Sequence, residues 1–302
     1  MGRFIDPRAD WAFKRIFGCD DTKECLITFI NGLFKGELVI KDVTFGKTEQ
    51  IKQREDERGV IFDVTCKTDD NRVVIVEMQK KEQEYFADRA LFYSAKAIVG
   101  QGLKGRWNYR LALVYTVCVM DFEAEYGLPR QFRTDMALCN LKTGKQESEK
   151  LRIVYLQLPL FKEKTEEECK DDIFKCWIYI LKNMDKLKEM PFLDKYPVFR
   201  KLAEIGDLRK LTPEEQEMYD EDIKIMRDLY ATHEFEIKKR RWAVEKATKE
   251  ARTKALKEGA AKEKIEIAKR MLSIGLTPKQ VAECSQLPVE QILLLLSDKK
   301  AN

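Results

Sequence analysis

Two short apolar runs limit what this chain can fold into. Val60-Ile61-Phe62-Asp63-Val64 and Val73-Val74-Ile75-Val76-Glu77-Met78 are rich in β-branched residues, and each admits a single carboxylate. Such runs favour strands, because a β-branched side chain loses rotamer freedom in a helix and packs well on a pleated surface. The polar stretch Thr68-Asp69-Asp70-Asn71 between them is a turn signal. The spacing predicts strands over 60–66 and 72–79, a long helix over 83–103, and an apolar strand over 109–120 in the middle of a sheet. Residues 38–45, 134–142 and 151–158 also read as extended, and 21–34 as an amphipathic helix. A strand–strand–helix–strand order implies an α/β core with a mixed sheet.

From about residue 165 the strand signals vanish. Helices are expected over the segment that holds Trp177, over 196–206 and over 213–232, followed by a long basic helix over 236–272. Ala243, Ala247, Ala251 and Ala255 repeat every four residues, which makes either a narrow stripe for a partner helix or one side of a solvated charged helix. Gly275, Thr277, Pro278 and Pro288 then punctuate a helix–turn–helix-like end. The expected organisation is a core over 1–165, a helical extension over 166–235, the basic helix over 236–272 and a small end over 273–302.

Composition removes several function classes. The chain has 302 residues, 36% of them charged, and no stretch near the roughly 18 apolar residues of a spanning helix. The first residues carry charges throughout and contain no secretory apolar region, so a cytoplasmic protein with no membrane partner is expected. Eight cysteines include no C-x-x-C pair and read as reduced, packed thiols. The single histidine, His233, lies in a charged helical stretch, which argues against Ser-His or Cys-His hydrolysis and against histidine-rich metal sites.

Charge is unevenly placed. Residues 236–270 hold 13 Lys and Arg against 6 Asp and Glu, whereas the whole chain carries only +4. Residues 1–235 are therefore slightly acidic, and the asymmetry points to a polyanion near the basic helix. Lys238, Lys239, Arg240 and Arg241 head that stretch and are the expected contacts to a DNA backbone.

Asp63, Glu77 and Gln79 form the central constellation. Side chains alternate along a strand, so Glu77 and Gln79 share a face, and a short turn brings Asp63 beside Glu77. Two carboxylates in apolar neighbouring strands repel unless a cation lies between them. Mg²⁺ takes one or two carboxylates, with waters and a substrate phosphate completing its shell, which suits phosphodiester hydrolysis. Gln79 fits a water-positioning role but lacks a lysine's charge. Pairing of the two acids with Lys67, Arg72 or Lys80 at the sheet edge is the structural alternative.

The order of motifs is more specific than any one of them. D-P-R-A-D-W-A-F-K-R-I-F-G at 6–18, I-T-F-I-N-G-L-F, F-D-V-T-C, V-E-M-Q-K, R-A-L-F-Y-S-A-K, Y-L-Q-L-P-L-F-K at 155–162, the Trp177 helix and A-K-R-M-L-S-I-G-L-T-P-K-Q-V-A-E follow in turn. Together they resemble the recombination-promoting nuclease and transposase family of the PD-(D/E)XK superfamily, over nearly the whole chain. The resemblance implies a restriction-endonuclease-like α/β fold, a mixed sheet flanked by helices with an all-helical C-terminal region. It implies Mg²⁺ or Mn²⁺ held by Asp63, Glu77 and the Met78 carbonyl, with Gln79 where the superfamily has its lysine. The charge-stabilising role is then open. Lys80 and Lys81 are the candidate sources, although Lys80 should point to the opposite face. Glu24 would be an additional carboxylate, and Arg89 and Tyr93, four apart on the next helix, either touch substrate or pack.

Two further patterns carry less. Gly100-Gln101-Gly102-Leu103-Lys104-Gly105 matches a dinucleotide fingerprint, but a helix precedes it and a strand follows, the reverse of the required order, so no nucleotide cofactor is expected. Pro288–Leu296 offers Gln291 but no Lys or Arg to a DNA groove, and its leucines read as packing or as a homodimer contact. The function expected is a metal-dependent DNA endonuclease linked to recombination, transposition or mobile elements. The rival is a catalytically weak or inactive DNA-binding or interaction protein on the same fold.

Overall fold

The computed structural model describes residues 2–46, 49–50, 60–61, 63–82, 84–102, 108–124 and 126–300. Phe62 of the first expected strand, and Leu103 to Gly105 of the glycine motif, lie outside them. The chain divides into two compact units, Met1–Ala231 and Thr232–Asn302.

The first unit opens with two helices, α1 (Asp10–Phe17) and α2 (Lys23–Leu33). Strands β1 (Val43–Phe45), β2 (Glu49–Gln50), β3 (Val60–Ile61), β4 (Val64–Thr68) and β5 (Val73–Gln79) follow, then α3 (Phe86–Val99), β6 (Val114–Met120), β7 (Arg133–Cys139) and β8 (Gln146–Gln157). Helices α4 (Glu166–Cys169), α5 (Ile173–Asn183) and α6 (Val198–Ile205) come next, and the long α7 (Pro213–Ser273) begins here. The six-stranded sheet runs β1-β4-β5-β6-β8-β7, while among the described residues β2 and β3 pair only with each other. Its centre is parallel, β5 with β6 and β6 with β8, and both margins are antiparallel, which gives the mixed sheet expected of the sequence. The apolar run ending at Met120 is indeed an interior strand.

Both faces of the parallel centre are covered, as such sheets require. All seven residues of β5 are buried. Val74, Val76 and Met78 point into a large core filled by α1, α2, α5, α6 and the first turns of α7. Val73 and Ile75 point the other way, into a smaller core with Phe86, Ala90 and Ala97 of α3. The helices after residue 165 thus close the same core as the strands. Trp177 is fully buried at its heart, with ring centroids 5.3 Å from Phe17 and 5.0 Å from Phe199. Its indole N–H donates to Thr28 Oγ1 at 3.2 Å. Gly32 lets α2 and α5 meet, since a Cβ there would lie 3.1 Å from Ile173 Cγ2 and 3.2 Å from the Phe174 amide nitrogen.

Three helical expectations differ from what forms. α1 has no counterpart among the expected elements, although Phe13, Ile16 and Phe17 have the spacing of a helical apolar stripe and are buried on one side of it. The Trp177 segment is two helices, because the Asp172 carboxylate accepts from the amides of Phe174 and Lys175 and caps α5 separately. Residues 213–232 and 236–272 are one helix, since no Gly or Pro lies between them to stop it.

In the second unit, the end of α7 packs with α8 (Pro278–Ser285) and α9 (Val289–Lys300) around Ala268, Val281 and Ile292. Gly275, at φ +97°, turns the chain after α7, and Thr277 and Gln280 form a capping box that starts α8. The four alanines of the stripe and Lys238, Lys239, Arg240 and Arg241 are exposed within this chain. Among the described residues, no helix is long and apolar enough to cross a membrane.

Replacing Trp177 by Ala should cost about 3–5 kcal/mol by leaving a cavity among aromatic rings. Replacing exposed Tyr126 by Ala should change stability by less than about 0.5 kcal/mol. Urea unfolding followed by circular dichroism measures both.

Candidate metal centre

The acidic residues meet where the sheet opens. The β4–β5 ladder ends at the pair Val64 and Val76, so one step further Asp63 stands opposite Glu77. There the chain leaves the sheet, and instead of a ladder bond the Met78 amide donates to Asp63 Oδ2 at 2.7 Å. On the other side of β5 the Asp121 amide donates to the Gln79 carbonyl at 2.9 Å. Amide and carbonyl of one strand residue point to the same side. The Met78 carbonyl therefore faces the fork that holds Asp63, as a ligand role at that position requires.

Glu77 is only 3% exposed on the face shared with Gln79 and covered by α3. Its Oε2 accepts from Gln79 Nε2 at 3.4 Å and lies 3.7 Å from the Arg89 guanidinium. Its Oε1 has no hydrogen-bond partner among the described residues. Burial, and then the Asp63 charge, push the Glu77 carboxyl up to about 8 despite Arg89 and Gln79. Asp63 is also raised, first by burial and then by Asp10, although the Met78 amide, Lys14 and Arg89 oppose this.

Other expected residues divide. Arg89 reaches Glu77 and lies over the Tyr93 ring, 5.2 Å from its centroid, so these two do share a face directed at the site. Lys80 points away from it, 3.5 Å from Asp222 of α7 on the opposite side of the sheet. Glu24 is exposed in the first turn of α2 and is not among the leading influences on Asp63. The upstream charges that are among them belong to Asp10 and Lys14 of α1, paired at 2.8 Å. Sequence reasoning passed over them, although four-residue spacing on a short helix places both on one face.

A divalent ion fits the donor set: two carboxylates, one with an unsatisfied buried oxygen, and a backbone carbonyl, all hard oxygen donors. Among the described residues, no three His, Cys, Asp or Glu side chains converge as a metal site. Mg²⁺ does not need that many, because water and substrate phosphate complete its shell.

A family model described as PD-(D/E)XK nuclease family transposase matches residues 7–235. The chain belongs to this family. No match was found among curated proteins or solved structures. Membership agrees with the mixed sheet and its flanking helices, and it makes the chain a nuclease- or transposase-related protein. Nucleases of the PD-(D/E)XK kind act on DNA and generally use divalent metal ions.

A carboxyl with a raised folded pKa holds an extra proton in the native state. Its contribution to stability is therefore present at low pH and is lost as pH rises from about 4.5 to about 8. Without metal, wild type should weaken relative to Glu77→Gln across this window, at up to about 1.4 kcal/mol per pH unit. Unfolding of both proteins in EDTA between pH 5 and 9 measures the difference. A constant gap would mean that Glu77 titrates normally.

Proposed function

We propose that this protein is a metal-dependent DNA endonuclease that hydrolyses phosphodiester bonds in recombination, transposition or the movement of mobile elements. The observation that carries the reading is the pair of carboxylates in the fork of the sheet, half-buried Asp63 and buried Glu77, with an unsatisfied Glu77 oxygen. Asp63, Glu77 and the Met78 carbonyl would hold Mg²⁺ or Mn²⁺. When bound, the ion acidifies water and offsets charge on the phosphoryl oxygens.

The chain's own groups divide the remaining tasks. Gln79, on the face of Glu77, would orient the attacking water through its amide. The water oxygen bonds to phosphorus, one ester P–O bond breaks, and a proton passes to the leaving oxygen. Arg89 would keep Glu77 oriented, with Tyr93 supporting its guanidinium. Lys238, Lys239, Arg240 and Arg241 would grip the DNA backbone, and opposed cuts in a duplex would be made by a homodimer formed through the C-terminal helices. The eight free cysteines suit a reducing cytoplasm.

Supercoiled plasmid incubated with the purified protein should be nicked or linearised with Mg²⁺ or Mn²⁺ and left intact with EDTA. Asp63→Ala and Glu77→Ala should abolish cleavage while the fold melts cooperatively. A folded wild type that retards DNA but never cuts it would favour the binding-protein alternative, to which the uncharged Gln79 lends weight. Replacing Lys238, Lys239, Arg240 and Arg241 with Ala should flatten the dependence of log affinity on log salt by about 0.9 for each phosphate that is no longer neutralised. Filter binding between 50 and 200 mM salt reads that slope directly.

A further inference from the structure

The helix that covers the Glu77 face of the sheet carries aromatic rings on its outside. Phe86, Ala90, Ser94 and Ala97 of α3 are its buried side. Tyr85, immediately before the helix, is 70% exposed, and Phe92 is 52% exposed. Single exposed rings are ordinary on a protein surface. These two belong to a row. The Arg89 guanidinium is 3.7 Å from Glu77 Oε2 and lies over Tyr93, 5.2 Å from the ring centroid. The Tyr93 and Phe92 centroids are 6.2 Å apart, and Lys96 Nζ lies over Phe92 at 5.7 Å. Cations and rings therefore follow one another from the metal centre out to solvent.

Spacing explains the row. Residues three and four apart are neighbours on a helix surface, which puts Arg89, Phe92 and Lys96 on one side of α3. The Arg89 amide donates to the Tyr85 carbonyl at 2.9 Å, so Tyr85 already belongs to the first turn and joins that side. Such a surface selects its partner by chemistry. Protein interfaces deplete lysine from their centres, whereas Lys96 lies over one of the exposed rings. A nucleic acid strand matches both halves, because phosphates take the cations and the π faces of bases take the rings. Asp88, exposed one turn before Phe92, lowers the positive charge of the row but leaves the rings open to solvent. A paired base hides its faces in the duplex stack, so only an unpaired strand can use Tyr85 and Phe92. Lys238, Lys239, Arg240 and Arg241 make no such distinction, since duplex and single strand both display phosphates.

We propose that Tyr85 and Phe92 form a stacking platform for unpaired bases beside the metal centre, so that the strand presented for cleavage is single-stranded or locally melted DNA. This rests on the nuclease reading above and names the form of its substrate. Lys96 pairs with a phosphate of the same strand while a base lies against Phe92.

The test is binding by the full chain, in EDTA and at one salt concentration, of a fluorescein-labelled oligo(dT) and of a labelled duplex of the same length, read by anisotropy. Tyr85→Ala and Phe92→Ala should each weaken oligo(dT) binding about 5-fold or more, the effect of losing one stacked base, and leave duplex binding as in wild type. Phe92→Tyr should bind oligo(dT) like wild type. Phe92→Leu, which keeps apolar area without a flat ring, should fall with Phe92→Ala. Leu91→Ala, which removes an equally exposed side chain of α3 outside the row, should change neither affinity. Unchanged oligo(dT) binding in Tyr85→Ala and Phe92→Ala, or an equal loss on duplex, would overturn the proposal. Unchanged binding together with a lost dimer in sedimentation would also overturn it, and would assign the rings to an interface between copies of this chain. Cleavage is read separately: with Mg²⁺, wild type should cut a single strand faster than the same sequence in a duplex, and the reverse order would overturn the substrate assignment. A wild type that binds oligo(dT) through these rings yet cuts no DNA would remove the nuclease reading and uphold the platform.

Discussion

Covering β5 on both faces decides how the acidic pair behaves. A parallel strand at the centre of a sheet keeps no side toward water, so a glutamate near its end has to be buried, and a buried carboxylate costs several kcal/mol unless something compensates. Here the compensation is partial. Gln79 and Arg89 both approach Oε2 and leave Oε1 unsatisfied. The chain meets the remainder by letting the sheet part. β4 begins only at Val64, and the Met78 amide that a longer ladder would have used holds the Asp63 carboxylate instead.

That fork is useful only if what lies above it is held still, and the N-terminal segment achieves this through charge. Arg3 donates twice to Asp207, which is fully buried and well below the usual carboxylate range because Arg209 and Arg3 both bond to it. Arg8 joins Asp6 to Asp121, the residue after β6, and Asp121 also accepts from Tyr230 of α7. The Asp6 amide donates to Tyr219 of the same helix. The first ten residues are thereby tied to β6, α6's exit and the start of α7. Phe13, Ile16 and Phe17 of α1 then have a fixed core to enter, and the polar side of α1 has a fixed place over the sheet.

Much of this was legible in the sequence because it depends on short-range rules. Alternation along a strand put Glu77 and Gln79 together and Lys80 on the opposite side, and a four-residue turn brought Asp63 across from Glu77. What was not legible depends on partners distant in sequence. Nothing local to Asp10 or Lys14 announces that α1 passes close to Asp63; that follows from Asp222, more than two hundred residues later, and from Val64. Glu24 looked equally eligible as an upstream acid, but α2 turns it to solvent. The continuity of α7 was hidden for the opposite reason. Its apolar side meets the large core only in the first turns and a small second core only near Ala268, so the change of pattern near residue 232 marks the end of burial in the first core rather than the end of the helix.

The charges around the fork bear on why a glutamine is tolerable at position 79. Asp63 feels Asp10, Lys14 and Arg89, whereas Glu77 feels Asp63 and Arg89. Burial and the Asp63 charge push the Glu77 carboxyl up to about 8, which favours its protonated form when no cation lies beside it. Gln79 leaves a neutral amide beside the buried acid, whose cationic neighbour is Arg89 of α3.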